Sequence, residues 1–191
     1  MPTLTVIAGP NGSGKSTLTS SIWFDGNANL IDPDAIARRL DAAQPARKAI
    51  PAAREAVLRC KALVAHRTSF TLETTLSGHG AMAILSKAKS IGFQTRLVYV
   101  SLGDPELHIE RVRLRVAQGG HDIPDADIRR RYGRSLQQAP KALRLAEESI
   151  VLDNSGLYPM RMLLLKEGHV IWRADILPPW VEMLATQLGE V

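Results

Sequence analysis

The sequence predicts an α/β fold in which a mainly parallel β-sheet is flanked by helices. Short apolar runs alternate with segments of helical periodicity along the 191 residues, a pattern typical of βαβ units. The run over residues 95–102 is apolar almost throughout, as expected for a strand that is buried on both faces of a parallel sheet. A glycine-rich loop directly follows the first strand and opens the first helix. This loop therefore lies at the carboxyl end of a strand, where ligands bind in such folds.

The amino-terminal half contains a local signal for each element. Residues 3–8 are β-branched and apolar, and residues 29–31 and 69–72 are shorter apolar runs, so all three predict strands. Asp32-Pro33 indicates a helix start, because Asp caps helices and Pro suits their first turn. Apolar residues at helical spacing predict helices over residues 16–24, 33–40, 51–66 and 79–90.

The carboxyl-terminal half predicts two helices and a terminal hairpin unit. The helices cover residues 105–118 and 124–136, and the Gly119-Gly120 pair between them predicts a flexible joint. The remaining predicted elements are a strand over 150–152, hairpin strands over 160–165 and 169–173, and a helix over 179–188. We interpret residues 1–191 as one domain, with a helical lid over about 111–134 and the hairpin and helix over about 158–191.

Composition restricts the class of protein. The hydrophobic share is 45% and the charged share is 23%, which is an ordinary globular balance. The single cysteine, Cys60, allows no internal disulfide or cysteine-based metal cluster, and we interpret it as a small buried hydrophobic residue. No apolar run approaches the roughly 18 residues of a membrane span, and residues 1–9 lack the basic start of a signal peptide. We therefore expect a cytoplasmic protein without a membrane partner.

Positive charge is concentrated in one segment. The net charge is +5, whereas residues 111–144 carry nine basic and three acidic residues, so this segment alone is +6 and the remainder is −1. A phosphate-bearing ligand, a nucleic acid or a solvated face would each account for such a segment. Aromatic residues make up only 5% of the chain, and the sequence carries no recognition-helix or RNA-binding motif. We therefore do not expect a nucleic-acid partner.

The glycine-rich loop has the complete G-x-x-x-x-G-K-[ST] phosphate-binding motif. In this motif the backbone N–H groups and the helix N-terminus hold phosphates, Lys15 reaches the β and γ oxygens, and the Ser16 hydroxyl can ligate Mg²⁺. The absence of an N/T-K-x-D guanine motif favours ATP over GTP. The residues predicted to bind ATP are Gly9, Pro10, Asn11, Gly12, Ser13, Gly14, Lys15, Ser16 and Thr17.

Five acidic residues follow predicted strands and could face the ligand. Asp32 and Asp104 each precede a proline, so we interpret both as helix caps. Asp34 lies in a first helical turn, where an acid is favoured by the helix dipole as well as by any catalytic role. Glu73 ends an apolar strand and must find Mg²⁺-bound water, a substrate hydroxyl or a buried partner. Asp153, which follows the strand over 150–152, qualifies by position alone.

Two arginines beside the glycine joint suggest a lid. Arg111 and Arg115 are four residues apart and therefore share one helix face. A hinged segment bearing such cations can cover a transferred phosphoryl group after substrate has entered, which limits hydrolysis. A solvated face is the alternative interpretation. The three consecutive arginines over 129–131 cannot all point at one ligand.

The order of these motifs resembles the zeta-toxin-like P-loop kinases, in particular their small chromosomal members. The resemblance covers residues 3–156 and includes GPNGSGKST at 9–17, IDPDAIA at 31–37, LETTLSG at 72–78, VYVSL at 98–102, ERVRLRVAQGGHDIP at 110–124, IRRRYGRSL at 128–136 and LDNSG at 152–156. It implies an adenylate-kinase-like core in which ATP phosphorylates a sugar hydroxyl, that of UDP-N-acetylglucosamine in the toxins that define the family. It also allows a protein antitoxin as a partner.

The resemblance implies roles for individual residues. Asp34 matches the general base that acts on the acceptor hydroxyl, and Glu73, followed by Thr74, matches the acid that holds the substrate. Arg111, with Arg115, matches the arginine before the lid loop. The second lid cation of the better-known toxins corresponds here to His121 or to Arg130, so its assignment stays open. This chain is shorter than those toxins and ends in an added hairpin and helix.

The sequence therefore predicts an enzyme that uses ATP and Mg²⁺ to phosphorylate a hydroxyl group of a small molecule, with Lys15, Asp34, Arg111 and Arg115 as its catalytic residues. An antibiotic or metabolite kinase of the same architecture is the nearest alternative. A nucleotide-dependent binding switch or ATPase, in which the phosphate loop is intact but no acceptor binds, is the rival from another class.

Overall fold

The computed structural model describes residues 1–21 and 26–190, and it confirms the alternation of strands and helices. The strands are β1 (Thr3–Ala8), β2 (Leu30–Ile31), β3 (Phe70–Thr74), β4 (Gln94–Ser101), β5 (Glu148–Asp153), β6 (Met160–Lys166) and β7 (His169–Arg173). The helices are α1 (Lys15–Ser21), α2 (Pro33–Leu40), α3 (Ala49–Ala65), α4 (Gly80–Ser90), α5 (Pro105–Ala117), α6 (Asp125–Leu145) and α7 (Pro179–Gln187). Two short 3₁₀ turns cover Asn27–Asn29 and Pro45–Lys48.

Most predicted elements agree with this structure to within two residues, and the largest difference lies at the end of α6. The predicted helix over 16–24 is confirmed as far as Ser21, and its end lies outside the described residues. The predicted strand over 29–31 was too long, because residues 27–29 form a 3₁₀ turn and only Leu30–Ile31 pairs with β3.

The seven strands form one mixed sheet in the order β2-β3-β1-β4-β5-β6-β7. The first five of these strands are parallel, and the hairpin of β6 and β7 extends the sheet antiparallel from β5. Val6 of β1 lies opposite Leu72 of β3 and Leu97 of β4, so β1 is central. The loop that follows β1 therefore emerges between its two neighbours, where ligands bind in parallel sheets.

Two separate apolar clusters stabilise the fold among the described residues. The main cluster joins the sheet to α3, α4, α6 and α7. The smaller cluster lies between α5 and the first half of α6, and it consists of Ile109, Val112, Ile123 and Ile128 with Val116 packed against them. We call the segment over residues 105–145 the α5–α6 hairpin. The second half of α6 therefore belongs to the main cluster, whereas α5 and the first half of α6 enclose the smaller cluster.

Helix α6 is longer than the sequence predicts. The predicted end is residue 136, and four residues further on lies Pro140, which removes a backbone donor and whose ring crowds the preceding turn. The helix instead continues through Pro140 to Leu145. Ala139, Ala142 and Leu143 are fully or almost fully buried in the main cluster, and this burial offsets the cost of about 3 kcal/mol that a helical proline carries.

Two expectations about composition can be compared with the structure. Cys60 is buried in the main cluster, which confirms its interpretation as a core residue, and burial raises the pKa of its thiol to about 12. In the parts of the chain that the structure describes, no helix is long and apolar enough to cross a membrane.

Candidate active site

A cavity of about 910 Å³ lies at the carboxyl ends of the parallel strands. It brings together most of the residues that the sequence predicts for the site. The predicted residues that line it are Asn11, Gly12, Gly14, Lys15, Ser16, Thr17, Asp34, Glu73, Arg111 and Arg115. Because these residues come from four separate segments of the chain, their convergence is a property of the fold and not of any single motif.

The phosphate loop has a conformation that only glycine permits at two of its positions. Gly9 lies so close to β4 that an added Cβ would come within 1.9 Å of the carbonyl oxygen of Val100. Gly12 has φ +77°, and its Cβ would lie 2.5 Å from the carbonyl oxygen of His108. The loop is also tied to β3, since the Gly9 N–H donates to the carbonyl of Thr74 at 3.2 Å. The backbone of the loop is therefore fixed by its neighbours before any ligand binds.

Lys15 lies inside this loop with only 7% of its surface exposed. Its Nζ donates a hydrogen bond to the carbonyl oxygen of Pro10 at 2.8 Å, which folds the side chain back along the loop. Burial lowers the pKa of Lys15, and the carboxylates of Glu73 and Asp34 act in the opposite direction. The structure thus holds a cation where the motif places the β- and γ-phosphates.

Glu73 is a buried carboxylate, 5% exposed, at the end of β3. Its Oε1 accepts a hydrogen bond from the Ser16 hydroxyl at 2.8 Å, and its Oε2 accepts one from Thr19 at 3.4 Å. Burial raises the pKa of Glu73, while Lys15 and the Ser16 hydrogen bond lower it. Of the three partners considered for Glu73, the structure shows a protein partner, the hydroxyl of Ser16, and this is the hydroxyl that the motif assigns to Mg²⁺.

The two acids of the Asp32-Pro33-Asp34 segment have different surroundings. The Oδ1 of Asp32 accepts the backbone N–H of Asp34 at 2.8 Å, so Asp32 caps α2 as predicted. Burial raises the pKa of Asp32. The Asp34 side chain is half-buried and lines the cavity. Asp104 likewise caps α5, as predicted, by accepting the N–H of Glu106 at 2.9 Å.

The two arginines that the sequence predicts for a lid, Arg111 and Arg115, reach the cavity from α5. Arg111 donates to the carbonyl oxygen of Asn154 at 2.7 Å, and Arg115 donates to the carbonyl oxygen of His121 at 2.8 Å. Both guanidinium groups are therefore paired with neutral carbonyl oxygens.

Three other residues predicted to bind substrate lie outside the cavity lining. The Thr74 hydroxyl accepts the N–H of Leu76 at 3.0 Å, within the turn that follows β3. His121 packs near Arg115 and is partly buried, and burial lowers the pKa of its imidazole. Arg130 pairs with Asp127 at 2.7 Å on the exposed side of α6. The structure thus does not bring Thr74, His121 or Arg130 into the cavity.

Three residues at the site had no predicted role. Asn154 follows β5, and its Nδ2 donates to the carbonyl oxygen of Ser13 at 2.8 Å. Arg131 of α6 donates to Oδ1 of Asn11 at 3.1 Å. His108 of α5 is fully buried, with its Nδ1 at 2.8 Å from the carbonyl oxygen of Asn11. The contacts join residues that are 97 to 141 positions apart, so no local pattern could reveal them.

The hydrogen bonds of His108 determine its protonation state. Nε2 accepts the backbone N–H of Leu102 at 3.2 Å, so Nδ1 carries the proton and donates it to the carbonyl of Asn11. The imidazole is therefore neutral, and burial lowers its pKa to about 4. It holds the phosphate loop through a main-chain carbonyl.

This pKa predicts a loss of stability in mild acid. The unfolded chain takes up the His108 proton first, because folding lowers the pKa from the ordinary value of about 6.5. The stability contributed by the neutral ring is thus complete above pH 6.5 and is lost as the pH falls toward 4, by up to roughly 3 kcal/mol. His108→Gln can keep both hydrogen bonds without titrating, so its free energy of unfolding should fall less between pH 7 and 4.5. Urea titrations at each pH would measure this free energy, with the exposed His66→Gln as the control. If the free energy of unfolding fell equally with pH in wild type and in His108→Gln, the assignment would be contradicted.

The fold and the loop define the class of protein. A seven-stranded mixed sheet flanked by helices, with the phosphate loop between β1 and α1, is the fold of P-loop kinase-like domains. Residues 4–155 match the AAA_33 family, which is described as an AAA domain, and the chain belongs to this family.

Several known proteins are similar to this chain in sequence or in fold. A protein of Haemophilus influenzae described as uncharacterized is 35% identical over 124 residues, which cover 65% of this chain and 88% of the relative. Among solved structures, one from the AvrRxo1-ORF1:-ORF2 complex with ATP has a TM-score of 0.73 at 13% identity over 98% of this chain, and this chain covers 64% of that protein. One from the PezAT chromosomal toxin-antitoxin system of Streptococcus pneumoniae has a TM-score of 0.61 at 12% identity, with coverage of 100% and 86%. At these identities the two structures show a shared fold.

Proposed function

We propose that this protein is a kinase that transfers the γ-phosphoryl group of ATP to a hydroxyl group of a small molecule. The observation that carries this proposal is the convergence of a phosphate loop, a free carboxylate at Asp34 and two arginines on one cavity. Phosphoryl transfer needs these three kinds of group, to hold the triphosphate, to orient the nucleophile and to stabilise the charge that moves. Membership of the family and the two structural relatives agree with a nucleotide-dependent enzyme.

Each group in the cavity has a part in this reaction. The backbone of Gly12 and Gly14 surrounds the phosphates, and Lys15 exchanges its bond to the Pro10 carbonyl for the phosphate oxygens. Asp34 accepts the proton of the attacking hydroxyl. Arg111 and Arg115, which bond only to carbonyl oxygens among the described residues, neutralise the charge of the transferred group.

The residues around Ser16 fit a magnesium ion. The Ser16 hydroxyl and the Glu73 carboxylate are hard oxygen donors 2.8 Å apart, and Mg²⁺ prefers such ligands together with water. Ser16 would ligate the ion directly, and Glu73 would hold its water molecules. When bound, the ion supplies charge neutralisation between the β- and γ-phosphates. In this arrangement the buried Glu73 carboxylate positions the metal ion. The family resemblance implies a different role, in which Glu73 holds the substrate.

Replacement of Glu73 by glutamine would test its role at the metal. Glu73→Gln keeps the acceptor for Ser16 but removes the charge, so the Mg²⁺ concentration needed for half-maximal ATP binding should rise by about 10- to 100-fold. Calorimetric titration of ATP at a series of Mg²⁺ concentrations measures this value, with the exposed Glu110→Gln as the matched control. An unchanged Mg²⁺ dependence in Glu73→Gln would exclude the carboxylate from the metal site.

The acceptor that we propose is a sugar nucleotide such as UDP-N-acetylglucosamine, and the protein is then a zeta-toxin-like kinase of the cytoplasm. The motifs over residues 9–156 support this assignment, and a structure from a toxin-antitoxin system shares the fold. The same relationship supports a protein antitoxin as a partner. An antibiotic or another metabolite is the alternative acceptor, and the shape of the cavity does not favour either.

The experiment that tests the proposed function follows the γ-phosphate. The protein is incubated with Mg²⁺ and γ-³²P-labelled ATP, with and without a small-molecule extract and with UDP-N-acetylglucosamine alone. We expect label in a small molecule only when an acceptor is added. ATP hydrolysis at the same rate in every mixture would instead identify the ATPase or binding switch, and label in the extract but not in UDP-N-acetylglucosamine would exclude the sugar nucleotide.

A further inference from the structure

The arginines of the α5–α6 hairpin between residues 111 and 131 fall into two groups by their partners. Three of them pair with carboxylates: Arg113 with Asp125 at 2.6 Å, Arg129 with Glu106 at 2.8 Å and Arg130 with Asp127 at 2.7 Å. The other three donate to neutral oxygens: Arg111 to Asn154, Arg115 to His121 and Arg131 to Asn11. The first group has its charge compensated within the exposed surface of the hairpin. The second group keeps an uncompensated charge, and all three of its members point toward the phosphate loop or the cavity.

Arg131 differs from Arg111 and Arg115 because its partner belongs to the phosphate loop itself. Its Nη1 donates to Oδ1 of Asn11 at 3.1 Å, and Asn11 is only 2% exposed and lines the cavity. In the parts of the chain that the structure describes, Arg131 makes this one hydrogen bond and no ion pair. A guanidinium has five N–H donors, so most of its hydrogen-bonding capacity is unused.

The position of Lys15 shows which phosphate lies beside this contact. The ammonium of Lys15 touches the carbonyl of Pro10 at 2.8 Å, and Pro10 directly precedes Asn11. Because the lysine of this motif contacts the β- and γ-phosphates, the Asn11 side of the loop is its γ end. Arg131 therefore stands at the end of the loop that distinguishes a triphosphate from a diphosphate.

We propose that Arg131 recognises the γ-phosphate and that the Asn11 amide occupies its guanidinium until a triphosphate binds. A phosphate oxygen is a better acceptor than an amide oxygen, since charge-assisted hydrogen bonds are roughly twice as strong as neutral ones. A bound triphosphate thus draws Arg131 away from Asn11, whereas a diphosphate leaves the Arg131–Asn11 contact intact. This inference rests on the proposed function, because it requires a nucleotide in the phosphate loop.

The test compares triphosphate and diphosphate binding in two neighbouring variants. Calorimetry with Mg²⁺ gives the Kd of a non-hydrolysable ATP analogue and of ADP for wild type, Arg131→Gln and Arg129→Gln. Wild type should bind the analogue more tightly than ADP. In Arg131→Gln this preference should fall by about 10- to 100-fold, the usual effect of a hydrogen bond to a charged group, while ADP binding stays unchanged. Arg129→Gln removes the same charge two residues away, from a guanidinium that is paired with Glu106, and should keep the preference of wild type. Unchanged ADP binding also shows that the variant is folded.

The outcomes separate this inference from the proposed function. If wild type prefers the triphosphate and Arg131→Gln prefers it equally, Arg131 does not recognise the γ-phosphate and the kinase proposal stands. If Arg131→Gln weakens ADP and analogue binding by the same factor, Arg131 only adds to the positive charge of the α5–α6 hairpin and does not recognise the γ-phosphate. The inference then also fails. If wild type binds neither nucleotide, the proposed function itself is wrong.

Discussion

Replacement of Lys15 by alanine should reduce phosphoryl transfer by roughly 10²- to 10³-fold or more. The Lys15 ammonium is buried inside the phosphate loop beside the Pro10 carbonyl, and among the described residues no other lysine lines the cavity. The charge acts where the bridging and transferred oxygens gain negative charge in the transition state. The rate is measured as transfer of labelled γ-phosphate to the acceptor.

The fold should survive this substitution. Among the described residues Lys15 makes one side-chain hydrogen bond, to a loop carbonyl, and its removal also relieves the burial of a charged group. Lys87→Ala, at an exposed position of α4, is the matched control and should leave transfer unchanged. Undiminished turnover in Lys15→Ala, together with normal binding of ATP and Mg²⁺, would mean that the phosphate loop is not the site of catalysis.

Replacement of Asp34 by asparagine should lower phosphoryl transfer by about 10²- to 10⁴-fold, the usual contribution of a general base. The substitution keeps the size of the side chain and removes the group that accepts the proton. ATP binding should change little, because Asp34 enters the cavity from α2 and not from the phosphate loop. Steady-state transfer rates and calorimetric ATP affinities distinguish the two effects.

Asp32→Asn is the control for this prediction. Asp32 caps α2 by accepting the N–H of Asp34, and asparagine caps helices nearly as well as aspartate. Its contact with Arg38 at 3.6 Å involves a half-exposed arginine and contributes little. Should Asp32→Asn reduce transfer more than Asp34→Asn does, the roles assigned to the two acids are reversed.

The sequence predicts the sheet and most helices because their signals are local. Burial of strands over residues 3–8 and 95–102 requires apolar runs, and the caps at Asp32 and Asp104 depend on the residues beside them. The end of α6 could not be predicted this way, since its path through Pro140 is stabilised by contacts with distant parts of the chain. Tertiary packing outweighed local preference at this point.

The residues of the candidate site also differ in whether local sequence predicts them. Lys15 and Ser16 belong to a continuous motif, and Asp34 and Glu73 follow strands, so the sequence suggests them directly. The contacts of the phosphate loop with His108, Arg131 and Asn154 span 97, 120 and 141 residues along the chain. They depend on how the α5–α6 hairpin and β5 meet the loop, which only the folded chain shows.

The carboxyl-terminal helix has a consequence for any attempt to isolate the segment that the family shares. That segment stops at residue 155, yet Trp180 and Val181 of α7 are buried in the main cluster, together with Leu163 of β6. The Trp180 indole also donates to Asp153, next to the asparagine that holds the phosphate loop. Each large apolar side chain contributes about 1.5–3 kcal/mol through burial, against a net stability of about 5–15 kcal/mol for a whole domain. A chain cut at residue 155 would therefore expose a broad hydrophobic surface beside the strands that carry the candidate site and would be prone to aggregation. The family boundary in this protein marks shared ancestry and does not mark a unit that folds alone.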